Sequence, residues 1–351
     1  MKKLLLPLLA SLALLAMLSP AVRAEKVRPA QIREAVNRSL PLLQSSLKEY
    51  PNHAACFSCH HQGVGMFTLA LARTRGYSVE KKGLEAVAQH TADDLRTGLE
   101  LYKNGKGQPG GVTRAGYALL ALQSGGSPKD AVIEAVSAYL LQRDKAQGYW
   151  NDTSNRPPSE ASAFTDTFLA IRALKAYGDE GRKEEIEKRI ESARQWLERA
   201  PLKDTEDRVF QLWALYEAGA AKEIVKQSAL ALLKERKEDG GWAQLPESSS
   251  DAYATGTALA VLYLTGELSS EDAAYQQGVR FLLKTQLPDG SWRVVSRSKP
   301  FQPYFESGFP HGKNQFISIA ASGWATCALI LATPISKKVT QSGAPLVFHS
   351  P

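Results

Sequence analysis

The sequence predicts an all-α protein, an (α/α)6 toroid in which six helical hairpins close into a double ring. Three observations lead there. One apolar helical pattern returns six times, a charged amphipathic segment precedes each copy, and short turns ending in tryptophan join several of the pairs. A helix pair of this kind cannot bury its apolar face alone, so neighbours stack until the ring shuts. An open superhelix of hairpins is the competing arrangement, and the count of six favours closure.

The chain opens MKKLLLPLLASLALLAMLSPAVRA. Two lysines, an apolar run from Leu4 to Leu18 and the small-residue site Val22-Arg23-Ala24 read as a secretory signal peptide over residues 1–24. The run is short for a membrane span, so the expectation is a periplasmic or secreted chain with no stable span after cleavage. Loss of Lys2, Lys3 and Arg23 lowers the formal charge from +7 to about +4. The remaining bases are interleaved with acids, which excludes a nucleic-acid reading. Three cysteines are too few for a disulfide scaffold.

Residues 25–335 carry the hairpins, and 336–351 read as a flexible tail. The amphipathic segments run over approximately 28–49, 80–102, 128–143, 181–199, 221–237 and 271–285. In RKEEIEKRIESARQWLER, for example, Ile186, Ile190, Ala193 and Leu197 recur at three- and four-residue steps, with charge elsewhere. These predict surface helices. The partners are apolar on nearly every face: MFTLALARTRG to Gly76, GYALLALQSG to Gly125, TFLAIRALKAYG to Gly178, QLWALYEAG to Gly219, TALAVLYLTG to Gly266, and GWATCALILA from Gly323. These predict buried helices, with the five glycines as left-handed C-caps.

GYW at Trp150, KEDGGW at Trp242 and QLPDGSW at Trp292 each follow a surface helix. An Asp-Gly turn ahead of an indole, whose N–H needs a partner, predicts a stacking device between adjacent repeats. QLPDGSW and KEDGGW resemble the QW repeats of squalene–hopene cyclases. Residues 28 to 333 as a whole resemble the α/α toroid shared by those enzymes and the protein prenyltransferases.

In such a ring the inner helices are parallel, so every loop entering one opens on a single rim. That gathers residues 52–65, 106–114, 149–166, 202–207, 241–256 and 291–322. Long loops on one face of a repeat array mark the binding face. Within the first loop, Cys56-Phe57-Ser58-Cys59-His60 has the C-x-x-C-H spacing of covalent haem attachment: both thiols add to the haem vinyls and His60 ligates the iron. The expected cofactor is therefore haem c on Cys56, Cys59 and His60, with His53, His61 or Met66 as a further ligand or gate, and Met66 also readable as core. A disulfide, free thiols or a bound metal are the alternatives at the same residues. Cys59-His60-His61-Gln62 also has the Cys/Gln spacing of the internal thioesters of complement-like proteins, without their flanking glycines.

Asp204-Thr205-Glu206-Asp207 resembles the D-x-D-D motif of class II terpene cyclases, whose central acid protonates an alkene or epoxide. The resemblance implies Glu206 as that acid, flanked by Asp204 and Asp207, above an aromatic cavity. Carboxylates at a helix N-terminus are also stabilised by the dipole alone, and Asp166 and Asp251 read as ordinary caps. Tyr253, Phe164, Tyr304, Phe316 and Trp324 are candidate cavity residues. His311 is the one downstream rim histidine and a further catalytic candidate, while Cys327 reads as a buried apolar thiol. The expected function is a haem-bearing redox or sensing toroid with a redox partner. The alternative is a cyclase-like enzyme or binding protein for a small apolar ligand.

Overall fold

A computed structural model describes residues 26–151, 154–300 and 303–334; the leader at 1–24 and the tail at 336–351 lie outside the described residues. Outer and inner helices alternate. The outer ones are α1 (Pro29–Glu49), α3 (Lys81–Thr97) prolonged by the short α4 (Leu99–Lys103), α6 (Ala131–Gln142), α8 (Lys183–Leu197), α10 (Lys222–Lys234) and α12 (Ala273–Thr285). The inner ones are α2 (Val64–Thr74), α5 (Gly111–Gly125), α7 (Ala163–Tyr177), α9 (Thr205–Glu217), α11 (Ala252–Leu264) and α13 (Gln315–Leu331). Each inner helix packs on the next, and α13 packs on both α2 and α1, so the ring is closed.

Composition dictates the layering. In α8 only Ile186, Arg189, Ala193 and Leu197 are buried, a single stripe facing inward, whereas in α13 every residue but Phe316 is buried. The segment Gly312–Leu331 is long and apolar enough to cross a membrane by length and composition, yet 89% of its apolar 18-residue window is buried inside the ring.

Trp150 stacks between repeats as expected, with the Arg189 guanidinium of α8 over its ring, 3.6 Å from the centroid. The tryptophans also work within their own hairpins. Trp150, Trp242 and Trp292 each donate the indole N–H to a carbonyl near the end of their own outer helix: Leu140 (2.7 Å), Leu232 (2.8 Å) and Leu282 (2.8 Å). Their backbone N–H groups bond Thr167, Thr255 and Ser322 on the following inner helix. Each of these residues thus ties the two helices of one hairpin. The glycine two residues before it makes a further contact between repeats. Gly290 (φ +89°) lies so close to α1 that a Cβ there would sit 2.3 Å from the Arg38 carbonyl oxygen, and Gly240 (φ +87°) approaches the Gln277 carbonyl of α12 in the same way. Only a residue without Cβ fits such a turn.

The C-caps also need correction. Gly76, Gly219 and Gly266 take the left-handed conformation, but Gly125 stays helical and Gly126 (φ +75°) turns the chain instead. Gly178 leaves α7 in an extended conformation (φ −55°, ψ 155°), its Cα packed against the Leu174 carbonyl and Ile186.

Candidate active site

The N-terminal ends of α7, α9 and α11 lie at one rim, capped by Ser162, Asp204 and Asp251. Glu206, in the first turn of α9, is 4% exposed. Its Oε1 accepts from Thr165 Oγ1 of α7 (2.9 Å) and from the Tyr253 hydroxyl of α11 (3.2 Å). Its Oε2 is buried with no hydrogen-bond partner among the described residues. Burial first, and then the charge of Asp204, push this carboxyl up to about 8, against the pull of the two hydroxyls. A carboxyl whose one oxygen already accepts twice carries its proton on the other, so the Glu206 proton sits on Oε2.

The flanking acids do other work. Asp207 accepts from Ser162 Oγ (2.7 Å) and the Lys203 N–H (2.9 Å), which locks both oxygens. Asp204 caps α9 through the Asp207 N–H and lies 3.7 Å from Arg297. Burial raises its pKa. Asp251 caps α11 as expected. Asp166 is not a cap: Ser162 caps α7, and Asp166 accepts from Thr113 of α5 (2.6 Å).

Cys59 opens a π-helical turn, Cys59–Gly63, that runs directly into α2. It is 8% exposed, and burial, with the nearby charge of Glu160, raises its thiol well above the ordinary value. His60 Nδ1 meets the same carboxylate at 2.8 Å, with the Phe316 ring edge against the imidazole. Glu160 comes from the loop between α6 and α7, where a reciprocal pair of backbone bonds ties it to Arg156. The Arg156 guanidinium also pairs with its carboxylate. Against the cost of burial, His60, Arg156 and Cys59 hold Glu160 below the usual carboxylate range, so it is an anion. Nothing in the sequence pointed to Glu160.

The two groups lie on one rim: Ser298 donates to the Pro157 carbonyl in the loop that carries Glu160 (3.1 Å), and its neighbour Arg297 lies 3.7 Å from Asp204. The buried Tyr117 phenol of α5, held far above its ordinary value by burial first, feels the charges of Glu206, Cys59, Glu160 and Asp166. Deeper on the same faces lie Phe67, Phe168, Phe210, Trp213 and Trp324, rings packed edge to face and stacked, with Phe168 4.1 Å from Trp213. The Trp324 indole N–H has no partner among the described residues. Arg172, at the far end, caps this layer by facing Phe67 and Trp213 and bonding Gln123.

Other sequence candidates fall elsewhere. His311 bonds Ser291 (2.8 Å) in the turn before Trp292. Tyr304 is 52% exposed, and Phe164 packs on Trp196 of α8. His61 turns away from the mouth to Ser46 of α1 (2.9 Å), His53 pairs with Glu49, and Met66 is core. Gln62 is engaged with Ser58 and His90. Cys327 is buried, its thiol pushed up to about 12.

A haem would need both thiols and His60 on one open apolar face. Cys56 is exposed beside the Tyr50 hydroxyl, whereas Cys59 is buried and His60 is bound to Glu160. So arranged, the three residues do not present one open face to the group. Among the described residues, no cluster of three or more His, Cys, Asp or Glu is placed to hold a metal ion.

No family model matches the chain, and no curated protein matches it significantly. Solved structures do resemble it. A variant of the type II terpene cyclase MstE from Scytonema, in complex with merosterolic acid A, aligns at TM-score 0.52 and 16% identity, covering 88% of this chain and 99% of that one. The unsaturated glucuronyl hydrolase of Bacillus sp. GL1 aligns at TM-score 0.55 and 15% identity, covering 85% and 96%. A glycosidase variant in complex with glucose aligns at TM-score 0.51 and 11% identity, covering 87% and 98%. At these identities the likeness establishes the α/α toroid fold and nothing finer.

Proposed function

We propose that this chain is a cyclase-like enzyme of the toroid class, acting on a polyprenyl or similar apolar alkene, with Glu206 as the general acid. The observation that carries the reading is the neutral Glu206 carboxyl with its unshared Oε2 inside an aromatic ring of helices. The Oε2 proton passes to an alkene carbon, the π pair forms the new C–H bond, and a carbocation remains on the neighbouring carbon. Aromatic faces favour such a cation over water, and exclusion of water preserves it. Thr165 and Tyr253 hold the acid in place, and Asp204 keeps it protonated. The leader read at residues 1–24 would place this work in the periplasm or outside the cell.

The test is turnover of squalene, geranylgeraniol and farnesol by the purified mature chain. Turnover by the wild type is expected, and Glu206→Gln should lower it by about 10²–10⁴-fold, the usual weight of a general acid. A Glu206→Gln variant that cyclises at the wild-type rate, or a wild type inert on all three, would overturn the reading.

A further inference from the structure

We propose that His60, held by Glu160, is the base that ends the reaction Glu206 begins, a role that rests on the cyclase reading above. The geometry defines which nitrogen acts. Glu160 is an acceptor only, so the 2.8 Å contact puts a proton on His60 Nδ1, and in the neutral imidazole the lone pair is then on Nε2. Glu160 is 3% exposed and receives His60 and Arg156 together, which fixes the plane of the imidazole as carboxylates fix histidines at other catalytic sites. The Phe316 ring edge, 5.4 Å from the imidazole by centroids, fixes its tilt.

One mouth thus holds two carboxyls in opposite states. Glu206 has only two hydroxyl donors and stays neutral. Glu160 has a guanidinium and an imidazole N–H, and stays ionised. Environments that push two carboxyls apart assign the acid and the base. The closing step balances without an oxidant. A C–H bond beside the final carbocation breaks, its electron pair becomes the new C=C, and the proton moves to Nε2. The resulting imidazolium faces the Glu160 anion, and solvent returns the proton to Glu206. Product and substrate are isomers. In this arrangement the C-x-x-C-H segment meets a carboxylate through His60, which is the catalytic residue.

The experiment has two arms on the mature full-length chain. In the first, ¹⁵N-histidine labelling and long-range ¹H–¹⁵N spectra, with His60→Gln for assignment, read the tautomer without substrate. The expected result is an Nδ1–H imidazole at His60 that shifts towards Nε2–H in Glu160→Gln. In the second, polyprenyl turnover in D₂O is compared among variants. His60→Gln should still take up deuterium at the initiating carbon but yield regioisomeric alkenes or alcohols, with about 10²-fold less of the wild-type product. Glu206→Gln should take up none. Wild-type His60 protonated on Nε2, an unaltered product set in His60→Gln, or a purified chain heavier by one haem would each overturn the proposal. A chain that turns over no polyprenyl overturns the reaction and with it the task of the base. The spectrum still reports how the dyad holds its proton, so the two failures separate.

Discussion

Glu206→Gln also tests the neutral acid without any substrate. Glutamine keeps an oxygen to accept from Thr165 and Tyr253 and replaces the unshared Oε2 with an amide nitrogen. In the wild type the folded-state pKa stands at about 8 against an ordinary value of 4.5. A group raised on folding gives stability that is full below 4.5 and is lost as the pH climbs towards 8, because the unfolded chain releases its proton first. Applying 1.36 kcal/mol per pKa unit, Glu206 costs the wild type about 3–4 kcal/mol of stability between pH 5 and pH 8. Glutamine does not titrate, so the variant should gain on the wild type by that amount across the window. For a chain of this size the gain corresponds to about 5 °C in Tm. Urea melts at both pH values, followed by circular dichroism, measure it directly, and the difference between the two proteins cancels every other titrating group. A gap that is the same at pH 5 and pH 8 would mean an ionised Glu206 and would remove it as an acid.

Two further outcomes concern the scaffold. His61, fully buried between α1 and α2, is held down to about 3 by burial. A histidine lowered on folding loses stability as the pH falls below 6.5, so acid unfolding should begin there and should be displaced to lower pH in His61→Gln, read from fluorescence melts at pH 6.5 and pH 4.5. Gly290→Ala should lower stability by about 2–4 kcal/mol in a thermal melt, because the residue holds φ +89° and its Cβ would meet the Arg38 backbone at 2.3 Å.

The ring was legible because inner and outer helices differ in composition throughout: α11 reads AYATGTALAVLYL and α8 reads KEEIEKRIESARQWL. Burial on all sides and burial on one stripe leave separate marks in sequence. The tryptophans were legible as structural residues, but their partners were not. Adjacent repeats meet through the glycine two residues earlier, a matter of backbone approach that a turn motif does not report. Likewise Gly125 and Gly126 are equivalent in sequence, and only the exit direction of α5 decides which one turns left-handed.

The site was half legible, for a related reason. Glu206, Cys59 and His60 stand in motifs with fixed spacing. Glu160 stands in none, and it reaches the mouth because the loop after α6 folds back on Arg156. Yet Glu160 sets the chemistry of the motif residues beside it. It takes the His60 Nδ1–H, so the imidazole that the spacing offers to a haem is committed to a carboxylate through that nitrogen. Likewise, Thr165 and Tyr253 from two other repeats determine which oxygen of Glu206 bears the proton. A motif names the groups present. Their protonation states follow from donors that ring closure brings in from elsewhere, so the two carboxyls of this mouth, Glu206 and Glu160, could be told apart only after the ring was closed.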